Sequence, residues 1–184
     1  MSEALLVEHC APTMAGLKTG SMFACPKENK KTLNESIRDL NRRLVPRGLR
    51  ILPVKAMKNR VLIYVYRPGK LCDDLQNGTA REILSGKQYP VENPDRCVSE
   101  LVRRMQQEND FPHEIGLFLG YPAEDVSGFL RLGGKAAKCT GIWKVYGNEE
   151  AAMRTFAAYR KCTRLYRSAY QKHRCLDRLV VTRK

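Results

Sequence analysis

Apolar residues recur along the chain with two periods, and each period marks a different element. Leu33, Ile37, Leu40 and Leu44 fall at three- and four-residue steps. They predict an amphipathic helix over Asn34–Leu44, stopped by Val45-Pro46 with Gly48 just beyond. Leu49–Val54 and Val61–Tyr66 are short runs of Val, Ile, Leu and Tyr on either side of Lys58-Asn59, the pattern of an antiparallel hairpin. Leu71–Leu84 reads as one helix with Asp73-Asp74 in its first turn, and Asp95–Glu108 as another, started by Pro94. Phe111–Pro122 reads as a buried strand or tight strand–turn. Ala123–Leu132 reads as a helix ended by Gly133-Gly134, and Gly141–Tyr146 alternates as a strand around the single tryptophan, Trp143. Asn148 then caps a long helix whose first turn holds Glu149-Glu150. One face of that helix carries Phe156, Tyr159, Cys162, Tyr166, Ala169 and Tyr170; another carries Arg160, Arg164, Arg167 and Arg174. At the start of the chain Pro12, Gly16 and Gly20 interrupt any period. This region therefore reads as a short helix to about His9 followed by a structured loop.

These elements predict an α/β chain of the α+β type. It forms a single domain over residues 1–184, with a small mixed or antiparallel sheet of about four strands, about five helices and a long amphipathic C-terminal helix. At 184 residues, with 43% hydrophobic and 28% charged residues, the composition is that of a globular domain. It excludes a collagen, a coiled coil and a disulfide-stapled mini-protein. No apolar run reaches the ~20 residues of a membrane-spanning helix. The acidic start, Met1-Ser2-Glu3, lacks the basic region and apolar core of an export signal. The seven cysteines are odd in number and evenly spread, with no C-x-x-C pair. The expectation is reduced thiols in a cytoplasm.

Charge changes this picture at one end. The net charge is +14, and residues 151–184 hold ten Lys or Arg against a single acid, Asp177. Such a field attracts phosphate backbones or acidic partners, so the helix bearing Arg160, Arg164, Arg167 and Arg174 is a candidate nucleic-acid surface. It is equally the solvated face of a helix whose other face is core.

No phosphate loop, dinucleotide fingerprint or nucleophile elbow occurs. His113-Glu114 opens like a zincin motif, but Leu117 stands where the second histidine is required. Two places carry candidate chemistry. His9-Cys10 with Lys18 sets an imidazole and an ammonium near a thiol, which lowers a thiol's pKa where they meet in space. His113-Glu114 pairs an imidazole with a carboxylate, as a general acid–base couple or an oriented metal ligand requires.

The phrases EHCAPTMAGLKTGSMF, RVLIYVYRP, FPHEIGLFLGYPAEDVSGF and GIWKVYGNEEAAMRTFAAYRKC together resemble a bacterial family of unknown function, numbered thirty-seven ninety-three among such domains. The resemblance runs from about Glu8 to Cys162. It implies a small cytoplasmic protein of largely anaerobic bacteria, sometimes encoded near flavodoxin or iron-uptake functions, and so a link to redox or iron physiology. It implies no reaction. The family pattern falls on His9, Cys10, Pro12, Thr13, Gly16 and Lys18, then on Phe111, Pro112, His113, Glu114, Gly116, Gly120, Tyr121 and Pro122, then on Trp143, Lys144, Tyr146 and Cys162. The strong C-terminal charge departs from that pattern.

The leading expectation is a pocket onto which His9-Cys10, His113-Glu114 and the Lys144–Tyr146 strand converge. Cys10 would serve as nucleophile or soft ligand, and His9 or His113 as base or second ligand. Lys18 and Lys144 would supply charge for a small anionic ligand, with Tyr146 and Tyr121 as further contacts. The residues specify no cofactor and no metal. The rival expectations are a protein that grips nucleic acid or an acidic partner through residues 151–184, and a redox-stress adaptor that docks a protein such as a flavodoxin without chemistry of its own.

Overall fold

A computed structural model describes residues 1–27, 29–107 and 111–182. Glu108, at the end of one predicted helix, and the tail residues Arg183 and Lys184 lie outside the described residues. Strands Gly20–Pro26 (β1), Arg50–Ala56 (β2) and Arg60–Tyr66 (β3) form an antiparallel sheet in the order β1-β3-β2. The predicted hairpin is β2–β3, in register from Arg50 opposite Tyr66, with a bulge between Pro53 and Lys55. Pro53 is tolerated because β2 lies at an edge. The side chain of Asn41 covers that edge by donating to the Ile51 carbonyl and accepting from the Ile51 amide, both at 2.9 Å.

Helices cover both faces of the sheet, which is why β3 reads as an unbroken apolar run from Val61 to Tyr66. On one face Ile63 and Val65 join Phe23, Cys25 and Ile51 beneath helix Glu3–Met14 (α1) and helix Lys30–Leu44 (α2). The predicted stripe Leu33, Ile37, Leu40 and Leu44 is fully inside. On the other face Leu62, Tyr64 and Tyr66 pack on the helices Pro68–Asp74 (α3), Gly78–Gly86 (α4), Pro94–Gln107 (α5), Ile115–Phe118 (α6) and Ala123–Leu132 (α7). A two-stranded ribbon, Cys139–Thr140 (β4) with Lys144–Val145 (β5), leads into the long helix Glu149–His173 (α8). Trp143, Val145, Ala152, Phe156 and Tyr159 form a third, smaller cluster there.

The fold is thus mixed α+β with a long C-terminal helix, as predicted. Asn148 caps α8 by accepting from the Ala151 amide at 2.9 Å. Phe156, Tyr159 and Cys162 are buried as the projection requires. Among the described residues there are eight α-helices and five strands, more and shorter pieces than the pattern suggested. Four local expectations are corrected. Helix α1 runs through Pro12 to Met14. An interior proline costs a helix about 3 kcal/mol, but Cys10, Ala11, Thr13 and Met14 are all completely buried and their packing offsets that loss. The supposed loop after it contains β1, whose Ser21, Phe23 and Cys25 point to one face. The single helix expected over 71–84 is broken at Leu75–Asn77, where the Asn77 side chain accepts from the Ala80 amide and starts α4. Phe111–Pro122 forms no strand. Its backbone closes on itself instead, with the Ile115 amide on the Pro112 carbonyl at 3.0 Å and the Tyr121 amide on the Gly116 carbonyl at 2.9 Å, and gives the single turn α6.

Candidate functional site

The turn after α1 sets the first functional side chain. Gly16, at φ +76°, reverses the chain as glycine readily does. The Pro12 carbonyl then accepts the amides of Leu17 and Lys18 at 2.9 and 3.1 Å. This holds Lys18 under the α1–α8 packing, where only 9% of the residue remains exposed. Its ammonium lies 5.3 Å from the centre of the Tyr121 ring, a cation–π distance. Burial, opposed by the nearby Cys10, lowers the Lys18 pKa to about 8. Among the described residues no carboxylate pairs with it.

Lys18 helps line a cavity of about 410 Å³ with His9, Pro12, Ser21, Ile142, Tyr159, Arg160, Thr163, Arg164 and Arg167. The α8 contribution at 160, 163, 164 and 167 is one helical stripe, so the basic face read from the sequence looks across a groove toward α1. His9 stacks on Phe23 at 5.0 Å, and Ser21 shares a 2.9 Å hydrogen bond with Thr13. The Tyr159 hydroxyl donates to the Leu17 carbonyl at 3.3 Å, and burial raises its pKa to about 12. Arg167 is held by Glu8. Arg160 and Arg164 have no carboxylate partner among the described residues, and no acid lines the cavity. A cavity with one deep ammonium, a rim of guanidiniums, an imidazole and three hydroxyls suits a multiply charged anion.

The other predicted residues lie elsewhere. Cys10 is fully buried and absent from this lining, and burial pushes its thiol far above the ordinary range in spite of Lys18. His113, Tyr121 and Lys144 line a second, largely apolar cavity of about 200 Å³ with Phe129 and Trp143. There His113 meets Phe129 edge-on at 5.0 Å, and Lys144 donates to the Gly134 carbonyl at 3.0 Å. Tyr121 stacks on Trp143 at 4.9 Å, and the same ring is the one Lys18 approaches. Glu114 turns away from His113 into the core. It accepts from Tyr89 at 3.0 Å, pairs with Lys87 at 3.3 Å and lies 4.0 Å from Arg104. Tyr146 packs closely over Gly128, where any Cβ would come within 2.4 Å of the ring. Arg174 sits at the exposed end of α8 with a left-handed backbone. The expected convergence is therefore divided. His9 and Lys18 come together with Arg160, Arg164 and Arg167; Cys10 lies beside Lys18 but outside the lining, and Glu114, His113, Lys144 and Tyr146 do not join them.

Asp125, also buried, has a structural duty. It accepts from the Trp143 indole at 2.7 Å and from the amides of Tyr146 and Gly147 at 2.7 and 2.8 Å. Among the described residues no three of His, Cys, Asp and Glu gather as metal ligands, and no helix is long and apolar enough to cross a membrane. Sequence reasoning missed Ser21, Tyr159 and Thr163 as cavity residues. The first could have been found from the alternation Ser21-Phe23-Cys25, the others from their spacing within the basic stripe. No curated protein and no solved structure matches the chain. The model of one family matches residues 6–180, nearly the whole chain, and the protein belongs to that family, described as Protein of unknown function (DUF3793).

Proposed function

We propose that the protein binds a small, multiply charged anion, of the phosphate-ester class, in the cavity between α1 and α8. One observation carries this reading: Lys18 is a nine-tenths buried cation that lines a cavity and has no carboxylate partner among the described residues. Burying an ammonium is unfavourable unless something compensates its charge. Arg160 and Arg164 supply guanidinium forks suited to phosphate oxygens, and Ser21, whose oxygen can accept from Thr13, supplies a hydroxyl donor. The cavity is of the size that encloses a small metabolite. The odd count and even spread of the seven cysteines favour a reducing, cytoplasmic setting.

The test is calorimetric titration of the full chain with pyrophosphate and with short phosphate monoesters. Arg160→Glu with Arg164→Glu is expected to weaken binding by about tenfold or more, since each charge-assisted bond is worth roughly 1.5–3 kcal/mol. Unchanged affinity in that variant, on a chain with wild-type circular dichroism, sinks the reading. The nucleic-acid reading rests on the same arginines and is separated by competition. A labelled oligonucleotide that binds at physiological salt and is not displaced by pyrophosphate would favour it instead.

A further inference from the structure

We propose that Lys18 forms a reversible imine with the carbonyl group of a phosphorylated aldehyde or ketone whose phosphate rests on Arg160 and Arg164. This rests on the anion-site reading and names the ligand class. The four Lys and Arg side chains of the cavity are not equivalent. Arg160, Arg164 and Arg167 are exposed at the rim, whereas Lys18 is buried at depth. A clamp for a simple anion would be served as well by a fourth guanidinium at that position, which keeps its charge when buried. A carbonyl trap needs that arrangement, since the neutral amine is the nucleophile and a guanidinium cannot replace it. The lowered pKa of Lys18 leaves a larger neutral fraction near neutral pH than an ordinary lysine has. Depth and rim together select a molecule with an anionic end outward and a carbonyl end inward, and the cavity of about 410 Å³ has room for both.

The chemistry balances without an oxidant. The Nζ lone pair attacks the carbonyl carbon, the oxygen takes up a proton as nitrogen loses one, and a carbinolamine results. The hydroxyl takes a second proton and leaves as water while the nitrogen lone pair closes the C=N bond. The nitrogen then gives up its remaining proton to leave the imine. Amine and carbonyl give imine and water, and hydrolysis reverses the step. His9, on the wall of the same cavity, is the imidazole suited to carry those protons. Cys10, behind Lys18, has no part in it.

The experiment uses the full chain and pyridoxal 5′-phosphate as a phosphorylated-aldehyde probe, followed by borohydride reduction and peptide mass mapping. The expected result is a visible imine band and a label concentrated on Lys18. The Lys18→Arg variant should lose both. Arg160→Glu with Arg164→Glu should raise the concentration for half-labelling by about tenfold, and pyridoxal without its phosphate should label Lys18 poorly. Labelling spread evenly over the exposed lysines overturns the imine. Pyrophosphate binding that persists while Lys18 stays unlabelled also overturns it but leaves the anion site standing. Absence of both overturns the two together.

Discussion

Lys18 shows how much a single position can set. Its pKa falls from 10.5 to about 8, so the folded chain binds fewer protons than the unfolded chain between these values. Stability is therefore expected to rise as pH climbs from about 8 toward 10.5, the penalty of the buried charge being fully present below that window. Over the same interval anion affinity should fall, because the ammonium facing the ligand is lost while Arg160, Arg164 and Arg167 stay charged. The groups packed around it, Cys10, Tyr121 and Tyr159, have pKa values raised by burial. Lys18 is thus the first of them to titrate on the alkaline side. Lys18→Met should stabilise the free protein at pH 7 by about 3 kcal/mol, the linkage value of such a shift, while abolishing pyrophosphate binding. Thermal unfolding with and without pyrophosphate reads both effects. A variant that is destabilised and still binds would mean that the ammonium serves the fold alone.

At the scale of elements, the turn before α6 is tied to α5 and to the end of α4. Glu114 is 1% exposed and accepts from Tyr89 while Lys87 and Arg104 lie beside it; the Arg104 guanidinium also covers the Tyr89 ring at 4.4 Å. Removing one member of a buried charged network leaves the others uncompensated. Glu114→Leu should therefore destabilise by about 3 kcal/mol in urea titration, and pyrophosphate affinity in the folded protein should not change. Loss of affinity without loss of stability would return Glu114 to the site. On the opposite side of the sheet, α8 contributes its apolar face to the core and its basic stripe to the cavity. The same 3.6-residue period serves both, which is why an arginine stripe and a tyrosine stripe coexist on one helix.

The two ends of the chain meet around a buried arginine. Arg67, 3% exposed, donates to the carbonyls of Thr13 at 2.6 Å, Met14 at 2.5 Å and Val181 at 2.8 Å. It thereby joins the end of α1, the end of β3 and the C-terminal segment, whose Leu176 and Val180 fill the α1–α2 core. The α1 end clamped in this way begins the turn that carries Lys18. Arg67→Met should cost about 3–5 kcal/mol, the range for removing a buried hydrogen-bonded charge, and should weaken anion binding as well because the turn loosens. Hydrogen exchange is expected to rise together in residues 13–19 and 176–182. Faster exchange in only one of the two segments would show that the clamp does not couple them.

How much of this was written in the chain differs by element. Helices α2, α5, α7 and α8 and the β2–β3 hairpin were legible, because each carries a period or a cap that acts locally: Leu33-Ile37-Leu40-Leu44 for α2, Asn148 for α8, an alternating or continuous apolar run for the strands. Pro12 concealed α1 and Gly20 concealed β1, since local breakers are overridden when buried packing and a paired strand supply more than the lost hydrogen bond. The residues of the site were also legible as types. His9 and Lys18 stood out near the start, and the arginines at 160, 164 and 167 stood out near the end. The sequence by itself thus determined the fold class, the basic stripe and the inventory of reactive groups, because propensity, periodicity and charge are properties of neighbours along the chain. Only the tertiary structure decided which groups share a cavity. Antiparallel pairing of β1 with β3 and packing of α1 on α8 bring positions some 150 residues apart to one wall and bury Cys10 behind it. Packing against Tyr89, Lys87 and Arg104 likewise turns Glu114 away from His113's cavity. Such juxtapositions depend on which apolar faces find each other, and burial then sets the charge state of every group they enclose.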